Sequence, residues 1–188
     1  MKLFVLIAFA LFSFNAIAQK PCEISEDVTD SIGTYKTTKD YMIYEKVFAG
    51  NSKYIFTSLV LTDAKPSLKV QFIEKSKDFI KANCFDKNSR IYIQLLNGKI
   101  ISLFQTDADN CGTMVRDDKG FDNRILSGQF TLNKQNYAAL KESPISFIRI
   151  KFLTETEDYV LKKELISELD GTVYEPENYF INYLHCIE

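Results

Sequence analysis

Tryptophan is absent from this 188-residue chain, and glycine, proline and histidine are scarce, with seven, four and one copies. So little glycine and proline argues against a collagen-like, low-complexity or flexible chain. Any Ser-His or Cys-His mechanism would have to use the single histidine, His185. Phenylalanine and tyrosine, by contrast, are plentiful, with 15 and ten copies. This composition is typical of a packed, strand-rich domain.

Several motifs of catalysis and cofactor binding are also missing. The chain has no G-x-S-x-G, no H-E-x-x-H, no phosphate-cradling glycine loop, no dinucleotide fingerprint and no C-x-x-C. Basic residues are scattered and the formal net charge is −2, which argues against nucleic-acid binding. We therefore expect no cofactor, no nucleic-acid partner and no catalytic residue. Because adjacent helix residues point about 100° apart, we expect His185 to be a surface histidine that does not partner Cys186.

Residues 1–18 are typical of a secretory signal peptide. Lys2 supplies the positive charge, residues 3–14 are apolar, and Ala16-Ile17-Ala18 forms a small-residue cleavage site before Gln19. The apolar run is too short for the roughly 30 Å of a bilayer core, so we expect cleavage near Ala18-Gln19 and no stable membrane insertion. The sequence thus predicts a secreted or periplasmic protein in which residues 19–188 form a single disulfide-stabilised globular domain.

Alternation of apolar and polar residues predicts antiparallel strands. The predicted strands cover residues 41–48, 53–61, 67–72, 99–106, 124–132 and 145–152. Asn97-Gly98, which lies between two apolar alternating runs, favours a hairpin with a two-residue type I′ turn. That register places one nearly apolar set on the core face, pairing Leu95 with Ile100, Ile93 with Ser102 and Ile91 with Phe104.

Three helices are predicted in the last third of the chain. Asn133 can cap a helix over residues 134–142, which Pro144 ends. Leu161, Leu165 and Leu169 recur every four residues before Gly171, and a last helix begins at Pro176. In the last helix the apolar positions are Phe180, Tyr183, Leu184 and Ile187. We expect an α+β fold with a predominantly antiparallel β-sheet of about six to eight strands and two or three helices.

The four cysteines are Cys22, Cys84, Cys111 and Cys186. An even number in an exported chain favours disulfides, and the lack of a close pair such as C-x2-C argues against zinc. Carried back along the hairpin register, Cys84 faces Cys111. We therefore predict a Cys84–Cys111 disulfide and, by elimination, a Cys22–Cys186 disulfide.

Residues 107–118, DADNCGTMVRDD, match part of an EF-hand loop. Asp107, Asp109, Gly112 and Asp118 fall at its positions 1, 3, 6 and 12. However, position 5 is Cys111, a poor ligand for calcium, and the preceding segment reads as a strand where an EF-hand needs a helix. We interpret the segment as a polar loop and assign no metal ligands.

Two further residue sets bear on function. Carboxylates at Glu155, Glu157, Asp158, Glu175 and Glu177 could supply the pair that a glycosidase-type hydrolase needs, although their spacing is not specific. Tyr41, Tyr44, Tyr54, Tyr92 and Tyr179 could form a binding surface or pack at the rim of the core. Our leading hypothesis is an exported, non-enzymatic binding domain whose partner is another envelope or secreted protein. The alternatives are a hydrolase with paired carboxylates and a calcium-binding module over residues 107–118.

Overall fold

Antiparallel β-structure dominates the protein. The computed structural model describes residues 19–188, so the predicted signal peptide lies outside the described residues. Eleven strands form one sheet with the order β1-β2-β4-β5-β9-β7-β6-β10-β11, with β3 added to β4 and β8 added to β9, while β12 and β13 form a separate pair. The strands are β1 (Ile24–Thr29), β2 (Thr34–Thr38), β3 (Tyr41–Phe48), β4 (Asn51–Thr62), β5 (Lys65–Ser76), β6 (Arg90–Leu95), β7 (Ile100–Gln105), β8 (Thr113–Arg116), β9 (Asp122–Thr131), β10 (Ile145–Lys151), β11 (Thr156–Val160), β12 (Leu165–Ile166) and β13 (Val173–Tyr174).

The predicted antiparallel sheet is confirmed, but the expected number of strands was too low. The strands that the sequence pattern did not predict are β1, β2, β8, β11 and the short β12–β13 pair. In β1 and β8 nearly every side chain is exposed, so neither strand carries the alternation that marks a half-buried strand. These strands are held by pairing with β2 and β9 instead.

The hairpin between β6 and β7 differs from the predicted one. The amide of Leu95 donates to the carbonyl of Lys99, so the loop has three residues and includes Gly98 at φ +85°. The loop is held from outside, because the carbonyl of Pro144 and the hydroxyl of Ser143 accept from the amides of residues 96 and 97.

The predicted hairpin register was consequently wrong by one residue. Ile93 pairs with Ile101 and Ile91 pairs with Leu103. A slip of one residue exchanges the two faces of a strand. Ile101 and Leu103 therefore enter the core, while Ile100 and Phe104 point outward.

One hydrophobic cluster fills the inner side of the sheet and includes residues from both short helices, α1 (Tyr137–Glu142) and α2 (Tyr179–Tyr183). Asn133 caps the 3-10 turn before α1 by accepting from the amide of Gln135, as predicted. The last helix begins with Pro176 in a 3-10 turn, and Phe180, Leu184 and Ile187 are buried. None of the helices in residues 19–188 is both long and apolar enough to cross a membrane.

The helix predicted around Leu161, Leu165 and Leu169 does not form. Residues 165–174 make the β12–β13 hairpin instead, with Gly171 at φ +76° in its turn. The carboxylate of Glu45 accepts from the amide of Glu168 and from the hydroxyl of Ser167. This contact with β3 fixes the segment in a conformation that the leucine spacing alone does not indicate.

The sheet curls until β11, at one end of the strand order, meets β3 and β4. Lys53 on β4 forms a 2.8 Å ion pair with Glu157 on β11. The rings of Tyr44 on β3 and Tyr159 on β11 meet edge to face at 5.0 Å. Within residues 19–188, these side-chain contacts rather than strand pairing join β11 to β3 and β4.

Candidate binding surface

The outward side of β7, β6, β10 and β11 is the candidate site, and we call it the outer face. Its twelve residues come from alternate positions of the four strands: Ile100, Ser102, Phe104, Arg90, Tyr92, Gln94, Phe147, Arg149, Lys151, Thr156, Asp158 and Val160. The residues between them, such as Ile93 and Ile148, are buried in the core. The pleat of the strands therefore decides which side chains the outer face presents.

The pairing of the four strands arranges the outer face in three rows. The first row is Ile100, Gln94, Phe147 and Val160; the second is Ser102, Tyr92, Arg149 and Asp158; the third is Phe104, Arg90, Lys151 and Thr156. The first row is mostly apolar, and the other two combine aromatic rings with charged groups.

Large apolar side chains in the first row are open to solvent. Val160 is 73% exposed and Ile100 is 60% exposed, while Phe104 in the third row is 51% exposed. The outward side of an antiparallel sheet is usually polar. Exposed apolar residues at both ends of one row, on β7 and β11, mark a surface that is suited to contact another molecule.

Arginine side chains lie over the aromatic rings of the outer face. The guanidinium of Arg90 is 4.6 Å from the ring centre of Phe104, and that of Arg149 is 5.9 Å from the ring centre of Phe147. Arg149 also holds Asp158 through two hydrogen bonds of 2.6 and 2.7 Å. These bonds keep the pKa of the Asp158 carboxyl below its usual value. Both side chains are thereby fixed in place.

Part of the outer face forms a depression, and the face ends at β11, the last strand in the strand order. A depression of about 690 Å³ is lined by eight residues of this face. Leu161 donates to the carbonyl of Ser146, and Phe152 donates to the carbonyl of Glu155. By the alternation of an antiparallel ladder, the backbone groups of residues 156, 158 and 160 point away from β10. The edge of β11 therefore offers unpaired donors and acceptors beside the apolar row.

This surface was not predicted from the sequence. The wrong hairpin register placed Ile100 and Phe104 in the core, and β11 was not predicted at all. Of the tyrosines considered for binding, Tyr92 lies on the outer face. Tyr41 and Tyr179 belong to an internal aromatic group, Tyr44 packs on Tyr159, and Tyr54 lies near Phe56. The five tyrosines therefore do not form one surface.

A second groove, of about 570 Å³, lies between β11 and the strands β3, β4 and β5. Beside it is the Lys53 cluster, which consists of Lys53, Glu74, Asn83, Glu157 and Tyr159. Lys53 forms ion pairs of 2.8 Å with both glutamates. Glu157 also accepts hydrogen bonds from Asn83 and from the hydroxyl of Tyr159. Lys53 thereby brings one of the predicted carboxylates, Glu157, close to a second carboxylate, that of Glu74.

The electrostatics of the Lys53 cluster do not suit acid catalysis. Burial alone would raise the pKa of Glu157, but hydrogen bonds from Lys53, Tyr159 and Asn83 outweigh it and lower the pKa. Burial also disfavours the charge of Lys53, yet its bonds to the two glutamates raise its pKa overall. A carboxylate hydrolase needs a general acid whose pKa is raised. The cluster instead holds a charged triad that links β4, β5 and β11.

The other predicted carboxylates lie apart from one another. Glu155 pairs with Lys81 at 2.6 Å, Glu175 pairs with Lys20 at 2.9 Å, and Asp158 is bound to Arg149. The 3-10 turn at residues 176–178 contains Glu177. No shared site results from this set within residues 19–188.

Residues 107–118 do not adopt an EF-hand geometry. β8 occupies residues 113–116, and the amide of Gly112 donates to the side chain of Asn110. Among residues 19–188, the carboxylates of Asp107, Asp109 and Asp118 are not part of any group of three metal-ligating side chains. The segment is the polar loop and edge strand that follow the hairpin.

Both disulfides are present, Cys84–Cys111 and Cys22–Cys186. A backbone bridge between Phe85 and Asn110 sets Cys84 opposite Cys111. The pairing thus arises although the hairpin register differs from the predicted one, because an irregular segment separates the bridge from the hairpin. His185 is not an isolated surface residue, since its Nε2 lies 3.2 Å from the Sγ of Cys22 and 3.8 Å from that of Cys186.

Comparison with known proteins adds no family to these observations. No family model matches the chain, and neither a curated protein nor a solved structure matches it.

Proposed function

We propose that this protein is an exported, non-enzymatic binding domain that uses the outer face to hold a partner protein. The observation that carries the proposal is the mostly apolar first row, whose two end residues are exposed and which borders the depression in the outer face. Ile100 and Val160 lie at its two ends, and Phe147 lies between them. Burying such side chains against a partner removes apolar surface from water and favours association.

The composition of the outer face supports a role in protein recognition. Tyrosine, phenylalanine and arginine are enriched at the centres of interfaces, where they provide most of the binding energy. Tyr92, Phe147 and Arg149 occupy the middle of the face. Because Arg149 is already fixed by Asp158, it would lose little conformational freedom on binding.

Charge indicates the chemistry of the partner. The outer face carries three cations, Arg90, Arg149 and Lys151, and one anion, Asp158. This positive surface contrasts with the net charge of −2 of the whole chain. We infer a partner whose contacting surface is apolar at its centre and acidic at its rim, and charge complementarity would accelerate its encounter with this face.

Export is the second part of the proposal. Disulfides persist in oxidising compartments, and the two disulfides of the structure are compatible with a secreted or periplasmic location. The signal peptide predicted over residues 1–18 would direct the chain there. The partner is then another envelope or secreted protein.

Site-specific photo-cross-linking tests the proposal. A photoreactive side chain at position 100 or 160 should give a discrete covalent product with a second polypeptide in the cells that export the protein. The matched control is position 32, because Ile32 is 91% exposed but lies away from the outer face, between β1 and β2. Replacing Val160 by Lys should abolish the product formed from position 100.

Equal cross-linking from positions 32 and 100, or none from either outer-face position, would count against the proposal. A product of twice the protomer mass would instead identify the outer face as a contact between two copies of this chain.

A further inference from the structure

A histidine lies on the disulfide that joins the first and last parts of the described chain. Cys22 precedes β1, and Cys186 lies in the 3-10 turn that follows α2. The Nε2 atom of His185 is 3.2 Å from the Sγ of Cys22 and 3.8 Å from the Sγ of Cys186. The three side chains form the one group of potential metal-ligating residues found in residues 19–188. Because the two sulfurs are bonded to each other, the chemistry that suits this group is thiol–disulfide exchange rather than metal binding.

The direction of the hydrogen bond at His185 follows from the sulfur chemistry. A disulfide sulfur carries no hydrogen, so the bond between Nε2 and Cys22 requires the proton on Nε2. The other ring nitrogen, Nδ1, is buried and has no hydrogen-bond partner among the described residues. The Nε2–H group therefore points at the sulfur pair.

The two sulfurs differ in their access to solvent. Cys22 is exposed, whereas Cys186 is only 4% exposed. A thiolate attacks a disulfide at the sulfur that it can reach, and the other sulfur leaves as a thiolate. An incoming thiolate therefore reaches Cys22, and the leaving sulfur is that of Cys186, within reach of the Nε2–H group.

We propose that Cys22–Cys186 is a thiol–disulfide exchange site in which His185 stabilises the leaving sulfur. The incoming thiolate forms a bond to the Sγ of Cys22, the Cys22–Cys186 bond breaks, and its electron pair passes to the Sγ of Cys186. The Nε2–H group of His185 donates to this new thiolate. The products are a mixed disulfide on Cys22 and a reduced Cys186.

A second thiolate completes the reaction. It attacks the sulfur of the first reductant in the mixed disulfide, and Cys22 leaves as a thiolate beside the same Nε2 atom. The disulfide of the protein gains two electrons, and the two thiols of the reductant become a disulfide. The co-reactant is therefore either two molecules of a small thiol or one protein dithiol.

The other disulfide provides an internal control. Cys84–Cys111 also has one exposed cysteine, Cys111, but no histidine at its sulfurs. A hydrogen bond to a charged group contributes about 1.5–3 kcal/mol, which corresponds to roughly tenfold or more in rate. Cys22–Cys186 should therefore exchange about tenfold faster than Cys84–Cys111 in the same molecule.

The test measures both exchange rates in the purified protein at pH 7. Reduced glutathione is used in one arm and a thioredoxin-type dithiol protein in the other, and trapped thiols are assigned by alkylation and peptide mass spectrometry. His185→Phe keeps a ring but removes the donor. It should slow exchange at Cys22–Cys186 about tenfold and leave Cys84–Cys111 unchanged.

Either arm can support the proposal, and the faster one identifies the class of reductant. Equal rates for the two disulfides in the unaltered protein would overturn the proposal without any variant, so it stays testable even if His185→Phe folds poorly. An unchanged rate in a folded His185→Phe protein would overturn the role of His185.

Discussion

Replacing Gly128 by alanine tests how tightly the core is packed around Phe85. Gly128 lies in β9 opposite Val70, and a Cβ atom there would come within 2.7 Å of the Phe85 ring. The ring has no freedom to move away, because Phe85 is fully buried and stacks on Phe152 with ring centres 5.2 Å apart. Phe130 contacts the ring edge to face, also at 5.2 Å.

Two opposing effects determine how much Gly128→Ala changes the free energy of unfolding. Forcing an extra methyl group into a packed core costs about 1–3 kcal/mol. Replacing glycine by alanine within a strand returns about 0.5–1 kcal/mol through the unfolded chain, and Gly128 is not among the glycines with positive φ. We expect Gly128→Ala to lower the free energy of unfolding by about 0.5–2 kcal/mol.

A double-mutant cycle separates the two effects. Phe85→Ala alone should cost about 3–5 kcal/mol. In that background the two contacts below 3.0 Å are gone and only the 3.1 Å contact with the Gln105 side chain remains, so Gly128→Ala should stabilise the protein by about 0.5–1 kcal/mol once that side chain shifts. The coupling energy should therefore be about 1–3 kcal/mol.

Equilibrium unfolding in urea, followed by circular dichroism with the disulfides intact, measures all four proteins. Leu140→Ala on α1 is the matched control background, because it opens a cavity without removing the Phe85 ring. The reasoning fails if Gly128→Ala has the same cost in the Phe85→Ala background as in the unaltered protein.

Three further predictions concern buried and cross-linked groups. Burial, with a contribution from Glu188, raises the pKa of Tyr137 to about 12. Because the unfolded chain loses this phenolic proton at a lower pH than the folded protein does, the free energy of unfolding should fall between about pH 10 and 12. Tyr137→Phe should make this fall less steep in urea titrations at several pH values, and an unchanged slope would contradict the assignment. Lys53→Met leaves Glu74 and Glu157 without their shared cation and should cost about 1–3 kcal/mol at pH 7, with recovery near pH 4 as the carboxylates are protonated. In the unaltered protein, by contrast, the lowered pKa of Glu157 stabilises the fold at neutral pH, and this stabilisation is lost as the pH falls. If the destabilisation caused by Lys53→Met persists at pH 4, the loss of the shared cation does not explain it. Replacing both Cys84 and Cys111 by alanine should lower the free energy of unfolding by about 3–4 kcal/mol, because the unfolded chain gains the entropy of the opened loop. An unchanged melting temperature in calorimetry would refute this expectation.

Local sequence patterns were enough to predict those strands and helix starts that carry a clear signal in their own residues. SLKVQF and ISFIRIK carry the alternation of half-buried strands, and they lie in β5 and β10. Asn133 and Pro176 mark the starts of the two helical segments, because caps and first-turn prolines act on the neighbouring backbone. Such signals act over a few residues and need no distant partner.

Tertiary structure decided the register of the β6–β7 hairpin and the conformation of residues 161–174. The Asn97-Gly98 pair suits more than one turn, and contacts from Ser143 and Pro144 select the three-residue loop. Glu45, more than a hundred positions away in the chain, holds the segment around Ser167 as a hairpin. A local pattern cannot report a hydrogen bond that only the folded chain supplies.

The position of the outer face likewise depends on tertiary structure and not on local sequence pattern alone. Alternation shows that Ile100 and Ile101 face opposite sides of β7, but it does not show which side is covered. The one-residue register and the pairing of β7 with β6 and β9 decide that Ile100 is exposed. Likewise, Lys53 and Glu157 meet only because the sheet curls. The sequence by itself determined the position of the strands with a clear apolar pattern and the antiparallel character of the sheet. The tertiary structure determined the remaining strands and which strand faces reach solvent, because burial depends on what packs against a strand and not on the strand alone.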